Sequence, residues 1–175
     1  MFKILLVLAF SLVAWAGNVS VAKGEIKAHT EVFGDSEINP TTKNVKADLT
    51  MADSIESIKG KIYFETLSLI SDKKDRDANM YELLKAEKFK TISFDVKNII
   101  KNENDYDITG VVSLNGVQKN ISSKAVINKS NNQISMVGGF SFNLTDFGLE
   151  PPTMLFLTVR NQIDISYNIS LNEVK

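Results

Sequence analysis

The chain contains no cysteine, one histidine, one tryptophan and three prolines among its 175 residues. Without cysteine it has no disulfide framework and no thiol acceptor for an N-terminal lipid anchor, so apolar packing must hold its core. A single histidine leaves too few nitrogen ligands for an ordinary zinc site. Basic and acidic residues nearly balance, 20 against 21, which argues against a nucleic-acid partner because such a partner favours a basic stripe.

The N-terminus has the organisation of a secretory signal. Lys3 precedes an apolar run from Ile4 to Ala14, and Ala14-Trp15-Ala16 gives a small-x-small cleavage pattern. The run has 11 residues, whereas a membrane-spanning helix needs roughly 20. We therefore predict a cleaved signal peptide over residues 1–16, a single domain over residues 17–175, and export to the periplasm in soluble form.

Alternation of apolar and polar residues dominates the rest of the chain. It is clearest at residues 106–114, 140–144 and 163–171, where every second position is apolar or glycine, as in half-buried strands. Asn115-Gly116 suits a two-residue hairpin turn, and polar clusters at 102–105 and 130–132 separate other runs. Connections this short require antiparallel neighbours.

The segment from Ser71 to Phe94 breaks the alternation. Asp77 or Asn79 can begin a short helix over about residues 77–86, with Met80, Leu83 and Leu84 on one apolar side. One such helix is too small to cover a sheet of seven or eight strands. We therefore predict an all-β protein, a small closed antiparallel barrel of about eight strands with one short helix; a sandwich is the alternative.

The apolar side chains of the alternating runs would face the barrel interior. A barrel of this size is either filled by its own side chains or holds one slim ligand, and the pattern alone fits both. Tyr167 is the residue that would place a hydroxyl near a ligand. The predicted lining, together with Ile62, consists of Phe64, Phe94, Val96, Val112, Leu114, Phe140, Phe142, Ile163, Ile165 and Tyr167.

The Arg76-Asp77 pair allows two interpretations. Arg76 could bind an anionic head group such as a pyrophosphate, because its planar guanidinium matches phosphate oxygens. The pair could instead cap the helix and tie it to a neighbouring strand. We favour the structural role, because Asp72 and Asp75 make the local charge mixed.

No pattern indicates catalysis or a metal. A calcium loop starting at Asp75 would need glycine where Met80 stands and glutamate where Ala86 stands. His29 is expected to be a surface or strand residue, and no Gly-x-Ser-x-Gly elbow is present. We predict that the protein is not an enzyme and has no catalytic residue, no metal ligand and no covalent cofactor.

Three blocks follow one another along the chain: the segment 71–94 with its Arg-Asp pair and Phe89, the segment 109–119 around Asn-Gly, and the segment 142–149 with Asp-Phe-Gly. In this order and spacing they resemble the signature of the YceI-like family, exported bacterial proteins that bind lipids and polyisoprenoids. The resemblance covers most of the chain after about Lys27 and implies an eight-stranded lipocalin-like barrel. The chain departs from the family at Leu144, where the family has a basic residue.

The resemblance favours a hollow barrel over a packed one. It implies a periplasmic carrier that holds an isoprenoid, quinone or fatty-acid-like ligand non-covalently in its apolar lumen and makes transient membrane contact. The mouth is expected near the helix and the loop 147–152, since Pro151 and Pro152 cannot join a central ladder.

Two other functions remain possible from the sequence. An integral outer-membrane barrel also has alternating strands, but its apolar side chains would face lipid and its polar ones the lumen. An enzyme acting in the cavity would need a buried ionisable group there.

Overall fold

The structure is a computed structural model that describes residues 17–32, 36–154 and 157–174. The predicted signal peptide lies outside these residues. In the described part of the chain no helix has the length and apolar character to cross a membrane. The strands are β1 (Gly17–Val32), β2 (Ser36–Ile38), β3 (Thr41–Thr42), β4 (Lys46–Met51), β5 (Lys59–Glu65), β6 (Thr91–Asn102), β7 (Asp105–Leu114), β8 (Val117–Ser130), β9 (Gln133–Asn143), β10 (Thr153–Met154), β11 (Leu157–Thr158) and β12 (Gln162–Val174).

Eight of these strands form a closed antiparallel barrel in the order β1-β4-β5-β6-β7-β8-β9-β12. Strands β4 to β9 are joined to their sequence neighbours, and β12 returns to pair with both β9 and β1. The pairing of β12 with β1 leaves the barrel without an open edge. The predicted closed barrel of about eight strands is therefore confirmed.

Alternation along the strands divides the side chains between the interior and the surface. In β7, buried residues alternate with half-buried ones from Tyr106 to Leu114, and in β12 the inward positions run from Ile163 to Leu171. A β-bulge in β6 between Val96 and Asn98 preserves the inward direction of apolar residues on both sides of it. The apolar face points into the barrel.

Tight turns set the register between neighbouring strands. Asn115 and Gly116 join β7 to β8 with φ values of 51° and 73°, as a type I′ hairpin turn requires. The polar clusters at 102–105 and 130–132 also form two-residue turns, in which Glu103 and Asn131 have positive φ. All three predicted turns are confirmed.

The helix α1 (Lys74–Leu83) begins and ends earlier than the predicted range of 77–86. Asp77 does not cap the helix, because it lies in its first turn and its Oδ1 accepts the backbone N–H of Ser71 at 2.8 Å. The carboxylate thus holds the loop that leads into the helix. At the other end Lys85 has a φ of 50°, which takes the chain out of the helical conformation. Three single-turn 3₁₀ helices lie at Ile55–Ser57, Thr66–Ser68 and Leu144–Phe147.

The core is packed densely at one end of the barrel. Ile58, Ile134 and Leu171 have no exposed surface, and Val19 and Leu49 are almost fully buried beside them. A second apolar cluster occupies the other end, where it includes Leu84 and the fully buried Phe147. Because Leu84 packs there and Met80 and Leu83 contact the same cluster, the predicted apolar side of the helix is confirmed.

Asp164, on the outer side of β12, has the most perturbed carboxyl group among the described residues. Hydrogen bonds from Ser141 and Gln162, together with the adjacent Arg160 guanidinium, lower the pKa of Asp164 to about 2. Three donors stabilise the charged carboxylate, and this outweighs its partial burial.

Candidate functional site

A cavity of about 1170 Å³ extends from the inside of the barrel to an open mouth at one end. All ten predicted lining residues border it, and so does Ile62. The cavity shows that the barrel is packed at one end and hollow at the other. This volume lies just above the roughly 300–1,000 Å³ that is usual for small-molecule pockets, so it leaves room for a large ligand.

The floor of the cavity is apolar and closed. It is formed by side chains that also belong to the packed end of the core, namely Ile62, Val96, Ile108, Met136 and Ile169. Each of them is buried. Since this core fills the rest of the barrel, a ligand cannot pass through to the far end.

Aromatic rings form one wall of the cavity. Phe94 and Phe140 stack with ring centroids 6.1 Å apart, and Phe142 continues the row at 6.4 Å from Phe140. Phe147 then supports Phe142 edge-on at 5.0 Å. These contacts fix the ring positions, so the wall is formed before any ligand is bound.

Tyr167 borders the cavity with its ring, but its hydroxyl is bonded to the protein. The hydroxyl donates to Ser123 Oγ at 2.8 Å, and Ser123 Oγ donates to the carbonyl oxygen of Gly139 at 2.9 Å. Burial raises the pKa of Tyr167, so the phenol stays protonated. Gly138 lies opposite Tyr167 in the neighbouring strand, and a Cβ there would come within 2.5 Å of the hydroxyl oxygen.

The mouth of the cavity has charged residues, unlike its floor. They are His29 on β1 and residues in and next to α1, which are Lys73, Lys74, Asp75, Arg76, Asp77, Glu82 and Lys85. Ile38, Pro152 and Val159 complete the rim. Several of these residues are exposed, so the cavity opens to solvent at the end where α1 lies.

The loop 147–152 has two roles. Phe147 and Leu149 are buried in the core, whereas Pro152 reaches the rim. The carbonyl oxygen of Pro152 accepts the N–H of Val159 at 3.0 Å, next to the small hairpin of β10 and β11. The two prolines of the loop, Pro151 and Pro152, stay outside the hydrogen-bonded ladder of the barrel, as predicted.

A hydrogen-bonded cluster connects β1, β2 and α1 at the rim. His29 Nδ1 donates to Asn39 Oδ1 at 2.7 Å, and His29 Nε2 lies 3.3 Å from Glu31. The bond to Asn39 and the nearby Glu31 and Glu37 raise the pKa of His29 above its ordinary value. Arg76 donates to the carbonyl oxygen of Glu37 at 3.2 Å and to Asp72 at 3.1 Å. These contacts tie the helix to β2, which is the structural role favoured for Arg76.

The three sequence blocks meet beside this mouth. Phe89 covers Gly116, where a Cβ would lie 2.6 Å from the ring. Asn115 Nδ2 donates to the carbonyl oxygen of Phe147 at 3.1 Å in a buried position. The segment after the helix, the β7–β8 hairpin and the Asp-Phe-Gly turn therefore brace one another.

Sequence reasoning missed part of the lining. Ile26, Ala28 and Thr30 of β1 border the cavity, as do Leu69 and Leu144 from turns. The β1 residues follow the same two-residue alternation and could have been found from it. Leu144 ends the alternating run 140–144 and could have been found in the same way, whereas Leu69 follows a 3₁₀ turn and gives no periodic signal.

The closed antiparallel barrel with an apolar cavity open at one end defines a lipocalin-like barrel protein. A family model described as YceI-like domain matches residues 18–171. The chain therefore belongs to the YceI-like family. No curated protein matches it.

Solved structures share the fold at low sequence identity. BcnA of Burkholderia cenocepacia has a TM-score of 0.74 at 11% identity, covering 84% of this chain and 95% of its own. A polyisoprenoid binding domain from Saccharophagus degradans, implicated in plant cell wall breakdown, has a TM-score of 0.71 at 8% identity, covering 90% and 99%. The YceI protein of Campylobacter jejuni has a TM-score of 0.69 at 19% identity, covering 82% and 89%.

Proposed function

We propose that the protein is an exported, non-enzymatic carrier that holds the apolar tail of an isoprenoid, quinone or fatty-acid-like lipid in its barrel. The observation that carries the proposal is the cavity of about 1170 Å³, with an apolar floor and charged residues only at its mouth. Such a cavity takes the tail out of water, a transfer worth about 0.8 kcal/mol per CH₂ group. The Saccharophagus domain of the same fold supports this ligand class by its description as polyisoprenoid-binding.

The cavity size limits the ligand. With about 30 Å³ per non-hydrogen atom, comparable to the share of a water molecule in the liquid, 1170 Å³ accommodates on the order of 40 such atoms. A tail of about ten methylene groups would already gain about 8 kcal/mol by transfer. Long-chain lipids therefore fit better than small metabolites.

The polarity of the cavity gives the ligand a direction. The tail enters first and reaches the floor at Ile108 and Met136, and the polar head group stays at the rim beside His29 and α1. The ten lining residues predicted from the sequence, from Phe64 to Tyr167, are the proposed tail contacts. Tyr167 contributes its ring, since its hydroxyl is bonded to Ser123.

The membrane-barrel alternative requires apolar side chains on the outside. In the described residues the alternating apolar side chains point inward instead, and the outer sides of β5 and β6 have charged residues such as Lys61 and Asp95. An enzyme would need a reactive group facing the apolar part of the cavity, and of the described residues there only Tyr167 is ionisable.

Purification without detergent tests the proposal. The protein is extracted with organic solvent, and the extract is examined by mass spectrometry for a lipid at a stoichiometric ratio. We expect a long-chain lipid, or uptake of one when a polyprenol is supplied. A lipid-free protein that also fails to take up polyprenols or fatty acids would refute the carrier function.

A further inference from the structure

We propose that the turn Thr66–Ile70 and the lysines next to it form a surface that docks on an anionic lipid bilayer and brings the mouth of the cavity onto the membrane. We call this the docking surface; its residues are Leu67, Ile70, Lys73, Lys74, Lys85, Lys88 and Lys90. The inference deepens the proposed carrier function and rests on it.

Two large apolar side chains protrude beside the mouth. Ile70 is 59% exposed and Leu67 is 53% exposed, the highest values among large apolar residues in the described ranges. Leu69, between them, points the opposite way, is buried, and borders the cavity. The protruding residues therefore lie directly next to the cavity lining.

The turn is held in place, so its exposed residues do not result from a loosely attached loop. The Tyr81 hydroxyl of α1 donates to the carbonyl oxygen of Leu69 at 2.6 Å and lies 3.2 Å from that of Leu67. Ile70 exchanges two backbone hydrogen bonds with Thr41, at 2.9 and 3.0 Å. Thr66 Oγ1 donates to the carbonyl oxygen of Phe89 at 2.7 Å. Bonds on all sides keep Leu67 and Ile70 facing outward.

Positive charge accompanies the apolar pair. Residues 66–90 carry six basic and five acidic side chains, whereas residues 17–65 and 91–175 carry thirteen basic and sixteen acidic ones. Within the segment, Asp72 is paired with Arg76 and Asp77 is buried against Ser71. Five exposed lysines then stand against three other exposed acids, Asp75, Glu82 and Glu87. The segment therefore has an excess of exposed cations, and Lys73, Lys74 and Lys85 among them border the cavity mouth.

A bilayer fits this surface better than a folded protein does. A stable protein interface buries about 800 Å² per partner around an apolar centre, whereas the docking surface offers only two exposed apolar side chains together with exposed lysines. Shallow insertion of apolar side chains with lysines at anionic head groups is how peripheral proteins bind membranes. With the mouth at the interface, a lipid tail passes into the barrel without crossing bulk water.

Vesicle flotation tests the inference. The purified protein is mixed with phosphatidylcholine vesicles, with or without phosphatidylglycerol, and binding is measured for the wild type, for Leu67→Ser/Ile70→Ser and for the matched control Val126→Ser/Val137→Ser. The control removes two exposed valines from the outer sides of β8 and β9, away from the mouth. We expect binding that needs phosphatidylglycerol, weakens in high salt, and falls about tenfold or more only in the first variant.

A lipid-occupancy assay separates this inference from the carrier function. Leu67→Ser/Ile70→Ser should take up polyprenol from detergent solution as the wild type does, while losing uptake from vesicles. Two results would overturn the docking surface and leave the carrier function standing. In the first, the wild type binds polyprenol but does not float with anionic vesicles. In the second, the wild type and both variants float equally well.

Discussion

Filling the cavity from its wall should reduce ligand binding without unfolding the barrel. Val112 of β7 borders the cavity and lies opposite Phe94 in the neighbouring strand. Val112→Phe adds about four carbon atoms to a region that holds no protein atoms, and it displaces about four methylene groups of the ligand. At about 0.8 kcal/mol each, this costs binding about 3 kcal/mol, or roughly a hundredfold in affinity.

The control for this change is Val126→Phe, the same substitution on the outer side of β8, where the valine is 45% exposed. Affinity is measured by titration with a polyprenol, and stability by urea unfolding, since overpacking of a filled core would cost about 1–3 kcal/mol. Ile165→Phe, on another wall of the cavity, is the second variant should Val112→Phe be unstable. Equal affinity in folded Val112→Phe, Val126→Phe and wild type would refute the assignment of the cavity as the binding site.

Three further substitutions test individual contacts that stabilise the barrel. Tyr167→Phe removes the hydrogen bond to Ser123, so the free energy of unfolding measured with urea should fall by about 1 kcal/mol. The lipid affinity should not change. A large loss of affinity would mean that the hydroxyl contacts the ligand. Gly138→Ala would place a Cβ 2.4 Å from a backbone carbonyl oxygen and should lower the free energy of unfolding by about 2 kcal/mol or more. In the control Gly17→Ala the nearest atom is 3.7 Å away, so the stability should change little. Equal stabilities of the two variants would contradict the close approach. Asp164→Asn removes a carboxyl group whose pKa of about 2 lies below its ordinary 3.8. Because the folded pKa is lowered, the carboxylate stabilises the fold above about pH 4 and this contribution disappears as the pH falls toward 2. After allowance for solvent screening it is about 1 kcal/mol, so the variant should be less stable at neutral pH and similar at pH 2; a constant difference would contradict the assignment.

The barrel could be predicted from the sequence because each strand obeys a local rule. The alternation in residues 163–171 specifies which side of β12 is buried whatever its neighbours are. Asn115-Gly116 fixes a two-residue turn through its own backbone preferences. Closure followed from the lack of any second layer large enough to cover the apolar face.

The hollow interior could not be predicted from these rules. Val96 is part of both the packed core and the cavity floor, and its place in the alternation is the same as that of Val112 at the cavity wall. Whether opposite walls meet depends on the size of residues that lie far apart in the sequence, such as Ala28 of β1 and Val112 of β7, whose strands are four places apart around the barrel. Only the three-dimensional arrangement shows that they leave room.

The helix boundaries were wrong for a different reason. Asp77 has the chemistry of an N-cap, but the N–H it accepts belongs to Ser71 and not to its own helix. A capping residue in a sequence does not indicate which backbone group it binds. The positive φ of Lys85, which ends the helix, also has no glycine to mark it.

The three sequence blocks that resemble the family contribute two kinds of residue: some line the cavity, such as Val112 and Phe142, and others brace its mouth. Phe89, Asn115, Gly116 and Phe147 brace the mouth from outside the lining and contact one another. The tail contacts lie on inward positions of the strands, where any apolar residue of suitable size keeps the alternation. A change of one apolar lining residue for another can therefore alter the cavity while the bracing contacts stay in place. Wall residues such as Phe94 and Phe140 should therefore set the length and shape of the ligand that this barrel accepts. Membership of the family does not by itself specify that ligand.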